Sequence, residues 1–317
     1  MREKRLSLLL GIALALVGVL AGPAQATSPL CGNSSVHGTV TLHATEDCAG
    51  GAGATLDGNA TIELNGQSLT NGTGTAIENP GPFTLTILGP GTISNFNAAV
   101  DSSGRTTIRR VEFDAIDATG APDAVVTISD APKSNISRNV FSANNPSNTA
   151  DYVLHIFSSP KSKVMRNSFT DNKALTQAVS VDGDKAVVLG NTVADLQHVP
   201  ATYSDVNEGL FVSGDKTKVM KNSVSGFGSN GLRIDSSNIG KIELKKNHTD
   251  GNGVEGLGSG VFIEKNSGKV LLQRNESSNN SNFGYELQSG GNAIVRFKKQ
   301  HNTGSGNTNG LCSPNLC

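Results

Sequence analysis

The sequence predicts an all-β chain that winds into a parallel solenoid, and three observations lead to this prediction. Short alternating strands recur at intervals of about 21 to 31 residues, the length of one solenoid turn. An Asn follows many of these strands at a fixed distance. The composition, with 37 Gly, 36% hydrophobic and only 4% aromatic residues, suits a narrow core with frequent turns.

One strand of each repeat is an alternating triplet with apolar outer members. Because side chains alternate along a strand, the middle member points away from the other two. The triplets are Val126-Thr127-Ile128, Leu154-His155-Ile156, Val179-Ser180-Val181, Leu210-Phe211-Val212, Leu232-Arg233-Ile234, Val261-Phe262-Ile263 and Tyr285-Glu286-Leu287. We expect the outer members to form the core and the middle members to form one outward row.

The other strand places an aliphatic residue three positions before an Asn. The aliphatic positions are Ile87, Ile108, Ile136, Val164, Val188, Val219, Leu244, Leu272 and Phe297. The Asn positions are Asn139, Asn167, Asn191, Asn222, Asn247 and Asn275, with Gln300 in the last slot. A buried Asn at a turn can bond the Asn above and below it and also satisfy backbone groups, so both sets are predicted to point inward.

These repeats resemble the right-handed parallel β-helix of the pectin-lyase-like superfamily, over roughly residues 39–302. The resemblance implies an all-β right-handed parallel β-helix of roughly ten coils, each about 4.8 Å from the next. A left-handed hexapeptide β-helix is disfavoured because a strict six-residue period is absent, and leucine-rich repeats are disfavoured because their Leu and Asn spacing is absent. Members that act on polysaccharides bind them in a groove along one outward sheet face.

The first 26 residues have the three-part layout of a secretory signal peptide. Arg2, Lys4 and Arg5 precede an apolar stretch, and Ala24-Gln25-Ala26 matches a small-x-small cleavage site. An uncleaved membrane anchor is the alternative. We therefore expect residues 27–317 to form a single secreted or periplasmic β-helix domain, terminal caps included, which has no membrane association after cleavage.

The four cysteines lie at the two ends of this domain and agree with export. An even number in an exported chain indicates disulfides, and four cysteines allow three connectivities. We favour the local pairs Cys31–Cys48 and Cys312–Cys317, because each would staple one end of the rod, where exposed strand edges need caps. A zinc site is disfavoured because no ligand spacing is present.

The outward row suggests recognition of a glycan. Phe211 and Phe262 could offer flat faces to sugar rings, and Arg233 could hold an acidic sugar's carboxylate. His155 lies on the same face and is a further candidate substrate-binding residue. The carboxylates on the same face are candidates for acid and base, because glycosidases need two at a defined separation. These candidates are Asp182, Asp235 and Glu264, with Arg233 as the cation of the predicted catalytic set. Ordinary solvated surface is the alternative for each of these residues.

The longest coil points to the same face. It lies between Val188 and Val219, and its extra residues include the candidate substrate-binding residues Tyr203, Asp205 and Glu208. Insertions in solenoids collect on binding faces, although a tolerated surface insertion is the alternative. Carboxylate oxygens here could also hold Ca²⁺ near a uronate, so Ca²⁺ is a possible cofactor, and none is certain.

A column of bases lies directly before the Asn positions. Its members are Arg138, Arg166, Lys221, Lys246, Arg274 and Lys299, interrupted by Gly190. Such a stripe could dock an acidic polymer, or it could simply solvate the rod and discourage edge pairing. The formal net charge of −1 is too low for a dedicated nucleic-acid binder, so no nucleic-acid partner is expected.

The functional prediction is a secreted polysaccharide lyase or glycoside hydrolase that acts on an acidic polysaccharide. The alternative is a non-catalytic exported β-helix that binds glycans or surfaces. The sequence contains no Asn-Thr-Asp, adjacent Asp-Asp or Gly-His-Gly motif of polygalacturonases, and no Arg-x-Pro-x-x-Arg element of pectate lyases. No catalytic residue can therefore be assigned by resemblance.

Overall fold

A computed structural model describes most of the chain. The described residues are 29–118, 124–144, 151–173, 176–195, 208–235, 240–265, 268–290, 293–297 and 301–316. The predicted signal peptide lies outside them. All regular structure in these ranges is β-strand, and no helix long and apolar enough to cross a membrane occurs in them.

The described residues form thirty strands, numbered in chain order. The first ten are β1 (Val36–Thr41), β2 (Glu46–Asp47), β3 (Ala54–Glu63), β4 (Ser68–Thr70), β5 (Thr75–Asn79), β6 (Leu85–Leu88), β7 (Thr92–Ser94), β8 (Ala98–Ser102), β9 (Thr106–Arg109) and β10 (Glu112–Asp114). The next ten are β11 (Ala124–Ser129), β12 (Asn135–Ser137), β13 (Val140–Ser142), β14 (Tyr152–Phe157), β15 (Lys163–Met165), β16 (Ser168–Thr170), β17 (Gln177–Asp182), β18 (Val187–Leu189), β19 (Thr192–Ala194) and β20 (Glu208–Ser213). The last ten are β21 (Lys218–Met220), β22 (Ser223–Ser225), β23 (Leu232–Ile234), β24 (Lys241–Lys245), β25 (His248–Asp250), β26 (Val261–Ile263), β27 (Lys269–Gln273), β28 (Glu276–Ser278), β29 (Tyr285–Leu287) and β30 (Ile294–Phe297).

The strands form three parallel rows, and each coil contributes one strand to each row in turn. Sheet I contains the triplet strands β11, β14, β17, β20, β23, β26 and β29, preceded by β5 and β8. Sheet II contains the strands that precede the Asn positions, among them β9, β12, β15, β18, β21, β24, β27 and β30. Sheet III consists of ten short strands from β2 to β28. The long strand β3 pairs in both of the first two rows. This topology confirms the predicted all-β solenoid.

The register of sheets I and II is the one that the repeats predict. In sheet I the triplets pair middle to middle, for example Ser180 with Phe211 and Phe211 with Arg233. In sheet II, Ile108, Ile136 and Val164 lie side by side. The inward-pointing aliphatic residues of both rows are buried to within a few per cent, apart from some in the terminal coils such as Leu287 and Val295, so a few side chains per coil suffice for a continuous core. Sheet III adds a column of stacked rings, Phe113, Phe141 and Phe169, with centroids 4.7 and 4.5 Å apart.

The predicted Asn ladder is present and buried. Each member donates its amide to a backbone carbonyl of the coil below and to the Oδ1 of the next Asn, as Asn191 does to Val164 O (2.9 Å) and Asn222 Oδ1 (2.9 Å). The prediction for the last slot is wrong. Asn302, and not Gln300, bonds Asn275 there, at 3.0 Å. In this terminal coil the ladder Asn therefore comes five positions after the aliphatic residue Phe297, and not three.

A second, interrupted Asn ladder was not predicted. Its members lie five residues after members of the first ladder, at Asn144, Asn172, Asn252, Asn280 and Asn307. All of them accept from backbone N–H groups. Asn144, Asn252 and Asn280 donate to the next Asn, as Asn252 does to Asn280 (3.0 Å), whereas Asn172 and Asn307 donate to backbone carbonyls. The five-residue spacing between the two sets of Asn is visible in the sequence, so the second ladder could have been predicted from it. The two ladders flank sheet III and fix the turns on both of its sides.

The N-terminal end of the rod carries the predicted disulfide between Cys31 and Cys48. Disulfides are typical of proteins outside the cytoplasm, which agrees with the predicted export. Cys317 lies outside the described residues, so the Cys312–Cys317 pair stays a prediction.

Candidate functional site

The outward face of sheet I carries the predicted row of side chains. Along it lie, in register, Thr127, His155, Ser180, Phe211, Arg233, Phe262 and Glu286. Adjacent strands in a sheet are about 4.8 Å apart, so side chains on successive rungs are near neighbours. The most highly charged part is the stretch from β17 to β26.

Arg233 lies between two carboxylates on this face. Its Nη1 donates to Glu208 Oε1 and Oε2, at 3.4 and 3.3 Å, and its Nε donates to Glu264 Oε1 at 2.6 Å. Its Nη2 also forms an ion pair with Glu264. The two glutamates approach Arg233 from opposite sides, because the strand of Arg233, β23, lies between β20 and β26. Glu208 is the first residue of β20, and Glu264 directly follows β26. The structure thus brings together three of the predicted site residues.

Glu208 is the buried member of this group, with 1% of its surface exposed. Gln177 Nε2 donates to its Oε2 (3.3 Å) and Asn230 Nδ2 donates to its Oε1 (3.2 Å). Burial raises the pKa of the Glu208 carboxyl above its ordinary value, and the charge of Arg233 opposes this rise without cancelling it. Glu264 is more exposed, with 21% of its side-chain surface accessible. The two carboxylates around one guanidinium therefore have unequal environments.

Glu208→Gln is expected to flatten the pH dependence of stability. The folded chain holds a proton on Glu208 that the unfolded chain releases above about pH 4.5, so wild-type stability falls as the pH rises from 4.5 through the raised folded pKa. Gln cannot release this proton, and the variant should gain stability relative to wild type across that window. Urea unfolding at a series of pH values measures the difference.

The control for this experiment is Glu112→Gln, which changes an exposed glutamate on sheet III. Parallel stability curves for wild type and Glu208→Gln over the whole window would contradict the assigned burial effect.

Phe211 and Phe262 flank Arg233 on the same row. The guanidinium carbon of Arg233 lies 5.6 Å from the centre of the Phe211 ring, within the range of a cation–π contact. Both rings are half-buried, so each still presents part of its surface on this face. The exposed Phe on this face is Phe157, with 47% of its surface accessible.

Asp182 and Asp235 lie at the carboxyl ends of their strands on this face. Asp182 pairs in register with Ser213, whose hydroxyl donates to its Oδ1. The backbone N–H of Asp235 donates to Val212 O at 3.1 Å. Both are half-buried. Arg233 is paired with Glu208 and Glu264. Asp182 is hydrogen-bonded to Ser213 and not to Arg233.

His155 lies further toward the N-terminal end of the row, in an aromatic cluster. Its ring stacks on Tyr152, with centroids 4.1 Å apart, and is tilted against Phe157 at 5.9 Å. Tyr203 and Asp205 of the long coil lie outside the described residues, so their predicted contribution stays untested.

The sequence-based prediction missed the residues three positions before the triplet middles. Tyr152, Gln177 and Asn230 occupy these positions, as Glu208 does. Tyr152 stacks on His155 of the outward row, and Gln177 and Asn230 donate to Glu208. The signal was available, because all of them precede the middle member at a constant spacing. Glu78 and Asp101 form another unpredicted feature, a pair of adjacent carboxylates on sheet I. Burial, with a smaller contribution from Glu78, raises the pKa of Asp101.

Ca²⁺ ligation finds little support in the arrangement of these carboxylates. Nowhere in the described ranges do three or more His, Cys, Asp or Glu side chains converge on a possible metal position. Glu208 and Glu264 are directed at Arg233, and Asp182 is hydrogen-bonded to Ser213. We therefore assign no chemical step to a metal ion.

Comparison with known proteins supports the fold. Neither a family model nor a curated protein sequence matches the chain. Among solved structures, the periplasmic alginate epimerase AlgG superimposes with a TM-score of 0.53 and 11% identity, over 87% of this chain and 80% of that one. The chain is a right-handed parallel β-helix.

Two other β-helix structures are similar at lower scores. The A-module of mannuronan C-5 epimerase AlgE4 from Azotobacter vinelandii has a TM-score of 0.48 and 13% identity, with 87% of each chain covered. Pectate lyase Pel9A has a TM-score of 0.37 and 14% identity, over 75% of this chain and 66% of that one. At such identities, the likeness of this β-helix to solved structures shows the fold.

Proposed function

We propose that this β-helix is an exported carbohydrate-active enzyme that binds an acidic polysaccharide along the outward face of sheet I and cleaves it. The observation that carries this proposal is the Glu208–Arg233–Glu264 group between two half-buried Phe rings. The likeness to AlgG, which is described as an alginate epimerase, gives further support for a polyuronate as substrate.

The aromatic rings and the guanidinium have complementary roles in this proposal. Phe211 and Phe262 would contact the apolar faces of sugar rings. Arg233 would bind a uronate carboxylate through the part of its guanidinium edge that the glutamates leave open, and 31% of its side-chain surface is accessible. Protonation of Glu208 removes one of the two carboxylates that compete for Arg233, so binding of an anionic substrate would strengthen as the pH falls.

The carboxylates would supply the acid and the base. Glu264 and Asp182 are the accessible candidates on the rungs around Arg233, and Asp235 is a third. A hydrolase would use two of them as proton donor and as base or nucleophile. A lyase would use one as the base that removes the proton beside the uronate carboxyl group, with Arg233 stabilising the resulting negative charge.

A panel of polysaccharides distinguishes these reactions. We expect new reducing ends from a polyuronate such as alginate or polygalacturonate, and none from a neutral glucan. Absorbance of unsaturated uronate products in addition to reducing ends indicates a lyase, and reducing ends alone indicate a hydrolase. Proton NMR of the recovered polymer detects inversion at a sugar carbon without cleavage, which would contradict the proposed cleavage.

Asp182→Asn, Asp235→Ala and Arg233→Ala test the site. Each is expected to lower kcat by about a hundredfold or more, the usual effect of losing an acid–base or charge-stabilising group. The matched control is Asp114→Asn on sheet III, where Ser142 donates to Asp114 Oδ1 at 3.3 Å, much as Ser213 donates to Asp182. Activity that survives both Arg233→Ala and Asp235→Ala would refute this placement.

A non-catalytic glycan-binding β-helix is the second candidate. It is favoured by one observation, that Arg233 and Asp182 already have partners within the protein. Binding to a polyuronate without any product, and loss of this binding in Phe211→Ala, would select this candidate.

A further inference from the structure

The outward face of sheet II contains a cleft lined by three arginines. We call it the arginine cleft: Arg109, Arg138 and Arg166 surround a cavity of about 330 Å³. This face is separate from the row on sheet I that carries the proposed function.

The register of sheet II explains the shape of the cleft. Arg109, Ser137, Met165 and Leu189 lie side by side on successive rungs, and the small, nearly buried Ser137 leaves space between its larger neighbours. Arg138 lies at the turn that follows Ser137, and its backbone is in the left-handed region (φ 59°). Its side chain therefore projects at the rim of the cleft.

The open side of the cleft lies one rung further along. Arg166 has the same left-handed conformation as Arg138 (φ 57°), and Gly190 takes the equivalent position on the next rung (φ 66°). Because Gly190 has no side chain, the cleft is unobstructed beyond Arg166.

The charges of the arginine cleft have no ion-pair partner among the described residues. Within the described part of the chain, no carboxylate forms an ion pair with Arg109, Arg138 or Arg166, in contrast to the doubly paired Arg233. The same turn column continues with exposed Lys221, Lys246 and Arg274. A chain with a net charge of −1 thus concentrates unpaired positive charge along one edge of the rod.

The floor of the cleft offers other groups that suit a sugar. Asn135 lines it with an amide, and no donor in the described ranges bonds its Oδ1. Met165 and Leu189 add an apolar patch. Aromatic side chains, on which nucleic-acid bases stack, do not occur among the lining residues.

We propose that the arginine cleft is a second carbohydrate-binding site, which holds the carboxylates of an acidic polysaccharide strand running along sheet II. Guanidinium groups bind carboxylates in a bidentate manner, and the cations repeat at the rung spacing of about 4.8 Å, which is of the same order as the length of one sugar ring along its chain. The ligand would follow the turn column from Arg138 toward Arg274. This inference does not depend on the site on sheet I.

The test compares two triple variants of the full chain with equal change in charge. The cleft variant is Arg109→Gln/Arg138→Gln/Arg166→Gln. The matched control is Lys133→Gln/Lys161→Gln/Lys185→Gln, which changes three exposed bases at left-handed turn positions between sheets I and II. Binding of defined oligogalacturonates is measured by calorimetry at two salt concentrations, with a neutral dextran and a DNA duplex as further probes.

The cleft variant should bind oligogalacturonate about tenfold more weakly at this site, the combined effect of three exposed charge pairs, and with a smaller salt dependence. The control should bind as wild type does. If the sheet I face also binds, wild type shows two binding events and the cleft variant weakens one of them; if the proposed function fails, wild type shows a single binding event and the cleft variant weakens that one. Equal losses in both triple variants, or tighter binding of the DNA duplex than of the oligogalacturonate, would overturn the proposal.

Discussion

Asn222→Ala is expected to lower the free energy of unfolding by about 4 kcal/mol, because it leaves several buried polar groups unsatisfied at once. Asn222 is 1% exposed, and its Nδ2 donates to Val188 O and to Asn247 Oδ1, both at 3.0 Å. Its Oδ1 accepts from the N–H (3.0 Å) and Nδ2 (2.9 Å) of Asn191. Alanine replaces none of these partners, and water does not reach them. Urea unfolding followed by far-ultraviolet circular dichroism measures the loss.

The matched control for the ladder is Asn97→Ala. Asn97 is exposed, and its side chain forms no hydrogen bond with the described residues. A change within about 0.5 kcal/mol is expected there, as for most surface substitutions. A loss below about 1 kcal/mol for Asn222→Ala would show that the ladder contributes less than its buried hydrogen bonds imply.

Arg233→Ala is expected to destabilise the fold by about 3 to 4 kcal/mol near neutral pH, in addition to its effect on catalysis, because Glu208 is then buried without a cation. Removing Arg233 also raises the pKa of Glu208 further, since its charge is the main opposing influence. The destabilisation should therefore shrink as the pH falls toward 4.5 and Glu208 takes up a proton. Unfolding curves at neutral and acidic pH measure both effects.

The double variant Arg233→Ala/Glu208→Gln separates charge burial from loss of packing. It should recover most of the stability lost in Arg233→Ala, because Gln remains neutral at every pH. Arg296→Ala, at an exposed position on sheet II, serves as the control and should change stability little. A double variant as unstable as Arg233→Ala would attribute the loss to packing on Phe211 instead of to the unpaired carboxylate.

The repeats could be predicted because their information is local. Alternation within a triplet such as Leu210-Phe211-Val212 decides which side chains point inward. Equivalent positions of successive triplets then lie next to each other on neighbouring strands. The same reasoning located the first Asn ladder. It failed at Gln300, because a change of chain length within the last coil moves the ladder position to Asn302.

The candidate site could be predicted only in part. The outward row with Phe211, Arg233 and Phe262 follows from the register, and so does the presence of Glu264 one rung from Arg233. The burial of Glu208 was not predictable. Its rung follows the longest coil, and only the folded chain shows that it lies beneath Arg233, bonded by Gln177 and Asn230.

The sequence by itself determined the coil, the core columns and the first Asn ladder, because each depends on side-chain alternation and on residues a few positions apart. The tertiary structure decided which charges meet. Glu208, Arg233 and Glu264 are separated by 25 and 31 residues, and turns of different length lie between them. It also decided that Arg109, Arg138 and Arg166 line one cleft, whose described lining residues include no carboxylate. Side-chain contacts between rungs depend on the conformation of the turns that return the chain to each sheet. The spacing of residues along the sequence does not determine that conformation.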